Sequence, residues 1–218
     1  MAKNFLSNSE ESTRMFQNGF LENLSKVHFS VPLFIFIPVI GFFVWEAFAA
    51  LDCSGWYFLE YYVIGLLVWS LTEYILHRYI FHFVPKSSWG LRLHFIFHGV
   101  HHDYPKDRLR LVMPPSVSIP LAILFYCIFY FIFPSSAALY CFFPGFLTGY
   151  LIYDMLHYAM HHYNFKTSVM KRIKQHHMLH HYQDEKKGFG VSSSLWDIIF
   201  ISGFPKKKSS AQAQQKSA

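Results

Sequence analysis

Long apolar runs alternate with polar stretches along the chain. Residues 30–51 are apolar apart from Glu46, and 56–76 apart from Glu60 and Glu73. Residues 117–133 carry no charge, and 137–156 carry only Asp154. Each run is about 17–22 residues long, enough for a helix across about 30 Å of hydrocarbon. Only residues 52–55 separate the first pair and 134–136 the second. The pattern therefore predicts an all-α integral membrane protein with four transmembrane helices in two hairpins. The third run is short and ends at Pro134, so it is the one that could dip into the bilayer rather than cross it.

Charge placement gives the chain a direction. With four spans, the polar stretches 1–29, 77–116 and 157–218 all lie on one side. They hold all 19 Lys and Arg and all 14 His; the short turns hold none. That asymmetry puts both termini in the cytosol by the positive-inside rule. The expected organisation is a cytosolic N-terminal segment over 1–29, a membrane domain over 30–204 and a basic, disordered tail over 205–218. No cleavable signal peptide is visible.

Composition agrees. The chain of 218 residues is 53% hydrophobic and only 15% charged, against about 25% charged in average chains. The net charge of +6 then points to a membrane surface rather than nucleic acid. Three cysteines without a CxxC spacing leave any metal chemistry to histidine.

The histidines fall into four groups: His77 with His82, His98 with His101 and His102, His157 with His161, and His177 with His180 and His181. Helical positions i, i+3 and i+4 share a face, so each HxxHH converges, as do His157 and His161. His77 and His82, five apart, suit one face poorly; they either serve different ions or straddle a helix end. Neutral imidazole is the commonest protein metal ligand, and ten of them suit two ions of iron, copper, nickel or zinc. The expected assembly is a cytosolic helical cap holding a dinuclear histidine site. Glu73, His94 and Asp154, one helical turn before ligands, are candidates to orient imidazoles, although an interfacial acid can simply be solvated. Tyr153, Tyr158 and Tyr182 are candidates for substrate contact, but equally fit an aromatic belt. Arg78, Arg108 and Arg110 suit an anionic head group or an acidic partner, and equally the positive-inside rule. His28 reads as a bystander, and His162 and His176 as neighbours pointing elsewhere.

The ordered series H-x4-H, H-x2-HH, H-x3-H, H-x2-HH resembles the membrane fatty acid hydroxylase superfamily. Its flanks, Glu73-Tyr74-Ile75-Leu76-His77-Arg78-Tyr79-Ile80-Phe81-His82, Leu93-His94-Phe95-Ile96-Phe97-His98, Arg110-Leu111-Val112-Met113-Pro114-Pro115, Tyr153-Asp154-Met155-Leu156-His157 and Lys187-Gly188-Phe189-Gly190-Val191 through Trp196-Asp197, resemble its fatty acid 2-hydroxylase branch. The resemblance covers about residues 56–204. It implies oxygen-dependent hydroxylation at carbon 2 of very-long-chain fatty acyl groups for sphingolipid (ceramide) synthesis, in the endoplasmic reticulum membrane. It also implies two metal ions, iron for activity with zinc able to replace it in purified protein, and electrons from cytochrome b5 and its reductase. Residues 1–29 are too short for the cytochrome b5 domain that many members carry, so the chain resembles the shorter form. Ile201-Ser202-Gly203 stands where the family usually has Gly-Thr. The alternatives are a sterol or sphingoid-base hydroxylase or desaturase of the same superfamily, a haem electron carrier, and a His-rich metal transporter or sensor. The last two would need histidines or other ligands inside the spans, where only scattered acids lie.

Overall fold

The computed structural model describes residues 5–205, which contain helices and no strand. The expected tail lies outside the described residues from 206 onward. Helix α1 spans Gly19–Leu24, α2 Val31–Ala49 and α3 Gly55–Ile75, the last running on as a π-helix over Leu76–Phe81. Helix α4, Ser88–His94, continues through a second π-helix, Phe95–Gly99, into α5, Val100–Asp103. Then come α6 (Pro115–Ile132), α7 (Ser136–His162), α8 (Ser168–Tyr182) and α9 (Leu195–Ile199). Local chemistry sets the starts. The hydroxyls of Ser54, Ser135 and Thr167 accept from the backbone N–H groups of Tyr57, Ala138 and Met170, and prolines open α2 and α6, as expected for helix N-termini.

The four apolar runs are the four helices long and apolar enough to cross a membrane: Val31–Ala49, Gly55–Phe81, Pro115–Ile132 and Ser136–His162. Their lengths differ in a way that builds the site. The first and third have 19 and 18 residues, but the second and fourth have 27 each. At 1.5 Å per residue that is about 27–28 Å against about 40 Å. Helices α3 and α7 thus overshoot a 30 Å hydrocarbon layer by about 10 Å, and the overshoot carries the histidines.

Helix α7 is the buried centre of the bundle, and α2, α3 and α6 turn most of their surface outward. It packs on α3 and α2. The α3–α7 approach is close enough that a Cβ on Gly65 would meet the Phe142 carbonyl, and one on Gly145 the Tyr62 carbonyl. Small residues permit such backbone proximity between membrane helices. Around that seam the core is aromatic: Phe36, Phe43, Trp69, Phe142, Phe146 and Tyr150, with Trp69 edge-on to Phe146 at 5.1 Å and to Tyr150 at 5.4 Å. Edge-to-face contacts of this kind add to burial.

Residues 163–205 fold back onto the overshooting end of α3. Trp196 Nε1 donates to Ser70 Oγ at 3.1 Å, and the Tyr74 and Ser202 hydroxyls lie 2.8 Å apart. The N-terminal segment lies on the same cap: Val27 N–H donates to the Leu109 carbonyl, and Leu6 and Ser7 N–H to that of Asp103.

Gly145→Ala should force α3 and α7 apart and cost about 1–3 kcal/mol, the usual range for overpacking. Gly41→Ala, which meets open space, should leave stability unchanged or slightly raised. Thermal unfolding of the two variants in one detergent checks this; equal midpoints would contradict the close seam.

Candidate metal centre

The overshoots of α3 and α7 and the cap helices bring all ten predicted histidines together, in two groups of five. One comprises His77, His82, His98, His102 and His180; the other His101, His157, His161, His177 and His181. Nine of the ten are buried, and His82 is half-buried.

His77 and His82 belong to one group and not to two; they straddle a helix end, His77 inside the π-helix and His82 as its C-cap. The π-helix over Leu76–Phe81 hydrogen-bonds i to i+5, and His82 N–H reaches the His77 carbonyl at 3.1 Å. The wider turn brings i and i+5 into line. The HxxHH motifs divide instead of serving one ion each. His98 and His102 join the first group while His101 turns to the second. Symmetrically, His177 and His181 join the second while His180 crosses to the first. Each half of the chain thus lends the other the middle histidine of its motif.

Within the first group, the Nε2 atom of His98 lies 3.2 Å from that of His77, 3.1 Å from that of His82 and 3.0 Å from that of His102. His180 Nε2 is 3.0 Å from His82 Nε2. In the second group, His101 Nε2 lies 2.9 Å from His157 and His181, and His161 Nε2 lies 2.9 Å from His177. The groups abut where the His102 and His181 rings stack at 4.3 Å.

Protonation makes this arrangement chemically specific. His77 Nδ1 donates to the Phe189 carbonyl at 2.6 Å, and His180 Nδ1 to the Lys187 carbonyl at 2.7 Å. A carbonyl only accepts, so Nδ1 carries the proton and each Nε2 presents a lone pair. Burial first, and neighbouring imidazoles second, hold His82, His98, His101, His102, His177 and His181 well below the usual histidine range. Burial and then the neighbouring His77 bring His180 down to about 3. Neutral rings with lone pairs about 3 Å apart repel unless a cation sits among them. Ligands at right angles around an ion, at the ~2.1 Å typical of imidazole–metal bonds, would be about 3 Å apart. The donor set and its spacing therefore fit a divalent transition metal in each group.

The carbonyls that hold His77 and His180 belong to one loop, and acids fix that loop. Gly188, between them, has φ of +71°, a conformation open to glycine. Asp197 accepts from the N–H groups of Phe189 (2.9 Å) and Gly190 (2.8 Å) and from the Ser202 hydroxyl (2.7 Å), and its Oδ2 pairs with His176 at 2.9 Å. Burial would raise the Asp197 carboxyl, but these donors lower it overall. Glu73 accepts from Val191 and Ser192 N–H and the Ser192 hydroxyl. It therefore supports His77 through the loop, one step removed from direct contact. Asp197 had no assigned role in the sequence reading; its signal is an acid set within Leu195-Trp196-Asp197-Ile198-Ile199.

Some of the other candidates are placed differently from expectation. Asp154 hydrogen-bonds no imidazole among the described residues; it accepts from Met113 N–H at 3.2 Å and the Tyr150 hydroxyl at 3.0 Å. His94 makes no hydrogen bond to a ligand imidazole among the described residues and lines a cavity. Tyr153 lines the same cavity, its ring stacked on His157 at 5.7 Å. Tyr158 and Tyr182 lie away from it: Tyr158 stacks on Phe29 at 4.7 Å, and Tyr182 donates to Asn8 Oδ1 at 3.2 Å. Both hold the N-terminal segment. Arg110 is buried, its guanidinium engaged by Glu22 and the Thr13 carbonyl, whereas Arg108 is exposed and pairs with Glu10. His28 is exposed, with Nδ1 2.8 Å from Ser30 Oγ.

The cavity measures about 740 Å³, within the range of ligand sites. Its walls are mainly apolar, including Leu76, Ile80, Phe97, Val117 and Leu121, and it reaches His98 of one group and His101 and His157 of the other.

Comparison with known proteins places these features in a family. The sequence profile of the fatty acid hydroxylases matches residues 62–202. The chain is 39% identical over 193 residues to a dihydroceramide fatty acyl 2-hydroxylase of Arabidopsis thaliana, covering 88% of this chain and 80% of the relative. It is 38% identical over 192 residues to the ceramide very long chain fatty acid hydroxylase of Saccharomyces cerevisiae, covering 87% and 49%. To the fatty acid 2-hydroxylase of Homo sapiens it is 34% identical over 215 residues, covering 89% and 57%. It thus spans about half the length of the yeast and human relatives. A solved structure of full-length scs7p, with only the hydroxylase domain visible, superposes with a TM-score of 0.82 at 35% identity, covering 88% of this chain and 72% of that one. With the ten-histidine end, the four long helices and the profile all coinciding, the chain belongs to the fatty acid hydroxylase family.

Proposed function

We propose that the chain hydroxylates carbon 2 of very-long-chain fatty acyl groups destined for ceramides. In this reading His77, His82, His98, His102 and His180 hold one metal ion, and His101, His157, His161, His177 and His181 the other. The observation that carries the reading is the apolar cavity that ends on imidazoles of both groups. An acyl tail lies along its walls, so the carbons at the acid end come nearest the histidines. Carbon 2 is the first of these that bears a C–H bond.

Bound iron supplies the oxidising chemistry with O₂: one oxygen atom enters the C–H bond, and the other leaves as water at the expense of two electrons and two protons. Cytochrome b5 with its reductase is the proposed electron source. The chain's own residues bind, orient and exclude water. The apolar walls desolvate the tail, Tyr153, whose ring stacks on His157 and lines the cavity, meets the substrate's polar end, and the Asp154–Met113 hydrogen bond keeps the 110–114 wall in place. The basic residues at the histidine end support a cytosolic orientation, and the substrate supports the endoplasmic reticulum membrane as location.

The defining assay supplies iron, O₂ and reductant with C24 acyl substrates and looks for 2-hydroxy product. Sterol-ring or sphingoid-base oxidation alone would overturn the reading. His101→Ala and His180→Ala are each expected to abolish product and reduce bound metal, and His28→Ala to do neither; equal product from all three would refute the ligand assignment. Asp197→Ala leaves all ten histidines but frees the loop that holds His77 and His180. Chelator titration should find metal held about 10–100-fold more weakly, with activity recovering when excess metal is supplied.

A further inference from the structure

The polar N-terminal stretch is more than a leader into the first span. Polar segments outside the packed helices are ordinarily poorly ordered unless tied down, and residues 13–25 are tied by a buried network. The Arg110 guanidinium donates to the Thr13 carbonyl at 2.6 and 3.0 Å, to Glu22 Oε1 at 2.7 Å and to Ser25 Oγ at 2.8 Å. Asp107 Oδ2 accepts Thr13 N–H at 3.0 Å and lies 3.4 Å from Arg110 Nε. Glu22 Oε2 accepts the N–H groups of Met15 and Phe16 at 2.9 and 3.0 Å, and Arg92 donates to the Met15 carbonyl. Both charged groups of the central pair are buried, with side chains only 2% and 8% exposed. Burial alone would raise the Glu22 carboxyl. The donors Lys26, Phe16 and Met15 and the Arg110 charge bring it down to about 2, so the pair stays ionised at neutral pH.

The network fixes residues that face the same cavity as the histidines. Met15, Phe16, Leu21, Leu24 and Ser25 line it alongside His98, His101 and His157. Phe20, between them, points out and is 70% exposed. Arg110 also begins the 110–114 wall, whose Met113 N–H is held by Asp154 one turn before His157. The strap, the wall and the ligand-bearing helix are thus joined by consecutive hydrogen bonds.

We infer that residues 13–25 are a selectivity wall of the acyl site: Phe16, Leu21 and Leu24 contact the substrate chain, and the Arg110–Glu22 pair holds them at the distance that decides which chain lengths fit. The inference rests on the acyl-hydroxylase reading. Within it, the strap is a specificity element and not part of the metal machinery.

Two measurements on the full chain test it. In the first, a fatty acid with a terminal diazirine is photolysed with the protein, and labelled peptides are mapped. Residues 15–26, bounded by Arg14 and Lys26, should carry label. Label elsewhere in the cavity but none there would overturn the contact, whether or not the protein turns over. In the second, wild type and variants compete for equimolar C16, C20 and C24 dihydroceramides. Phe16→Ala and Leu24→Ala should shift the C24-to-C16 product ratio by roughly tenfold, the scale on which apolar pockets discriminate, with metal content unchanged. Glu22→Gln should raise KM more than it lowers kcat, and Phe20→Ala should change neither ratio nor KM. Unchanged ratios in metal-loaded Phe16→Ala and Leu24→Ala, or an equal loss on every chain length with metal lost, would refute the strap's role. A wild type that makes no 2-hydroxy product would instead refute the acyl-hydroxylase reading.

Discussion

The functional end of the molecule answers to one electrostatic constraint. Imidazole Nε2 atoms are held about 3 Å apart, those of His77 and His180 with their lone pairs turned inward, in a place where burial opposes protonation of the rings. Such an arrangement is stable with a cation among the nitrogens, and otherwise only as far as the scaffold enforces it. The scaffold is arranged for that enforcement. Two helices of 27 residues overshoot the apolar layer and carry rings at their ends. Glycines let those helices approach closely, and a loop pinned by Asp197 and Glu73 fixes the rotation of His77 and His180.

Exchange of the middle histidines makes the two halves interdependent. His101 comes from the first half but sits with the second group, and His180 does the reverse. Neither hairpin with its cap helix could complete a five-histidine set alone. His82 and His180 meet across 98 positions of sequence, and His101 and His181 across 80. Closing such long loops costs chain entropy before any contact is made. The apolar α3–α7 seam, along the middle of the same helices, offsets that cost by setting both overshoots side by side.

Hydropathy made the four long helices legible, because about 18 apolar residues in sequence have one stable solution in a bilayer. Residue spacing made the histidines legible as a set. It did not make their grouping legible: the backbone forms π turns at Leu76–Phe81 and Phe95–Gly99, and even in the regular α-helix α8 His180 turns to a different group from His177 and His181. At Leu76–Phe81 an i+5 pair lines up, and no apolar pattern announces it. The roles of Asp154, Tyr158 and Tyr182 failed for another reason. Each lies near a ligand in sequence, but its partner, Met113, Phe29 or Asn8, comes from a distant segment. Proximity along a helix predicts a shared face; it does not predict which neighbour arrives there first. Asp197 was equally out of reach, since its partners are backbone amides of a loop whose path depends on Gly188.

The two histidine groups are near-equivalent in sequence yet are held differently. In the first, His77 and His180 each give Nδ1–H to a backbone carbonyl of one loop. In the second, Nδ1 of His101, His177 and His181 is buried without a hydrogen-bond partner among the described residues, as is that of His102 in the first. Hydrogen bonds to the outer nitrogen fix a ligand ring's orientation and raise its basicity. His77 and His180 are therefore the two rings of the first group whose rotation and tautomer are fixed from the outer nitrogen, while packing sets the orientation of the unpartnered rings. The cavity meets the first group through His98 and the second through His101 and His157. Of the grouped imidazoles that line the cavity, one thus comes from the first group and two from the second, so a duplicated sequence pattern has been made unequal by what surrounds each copy.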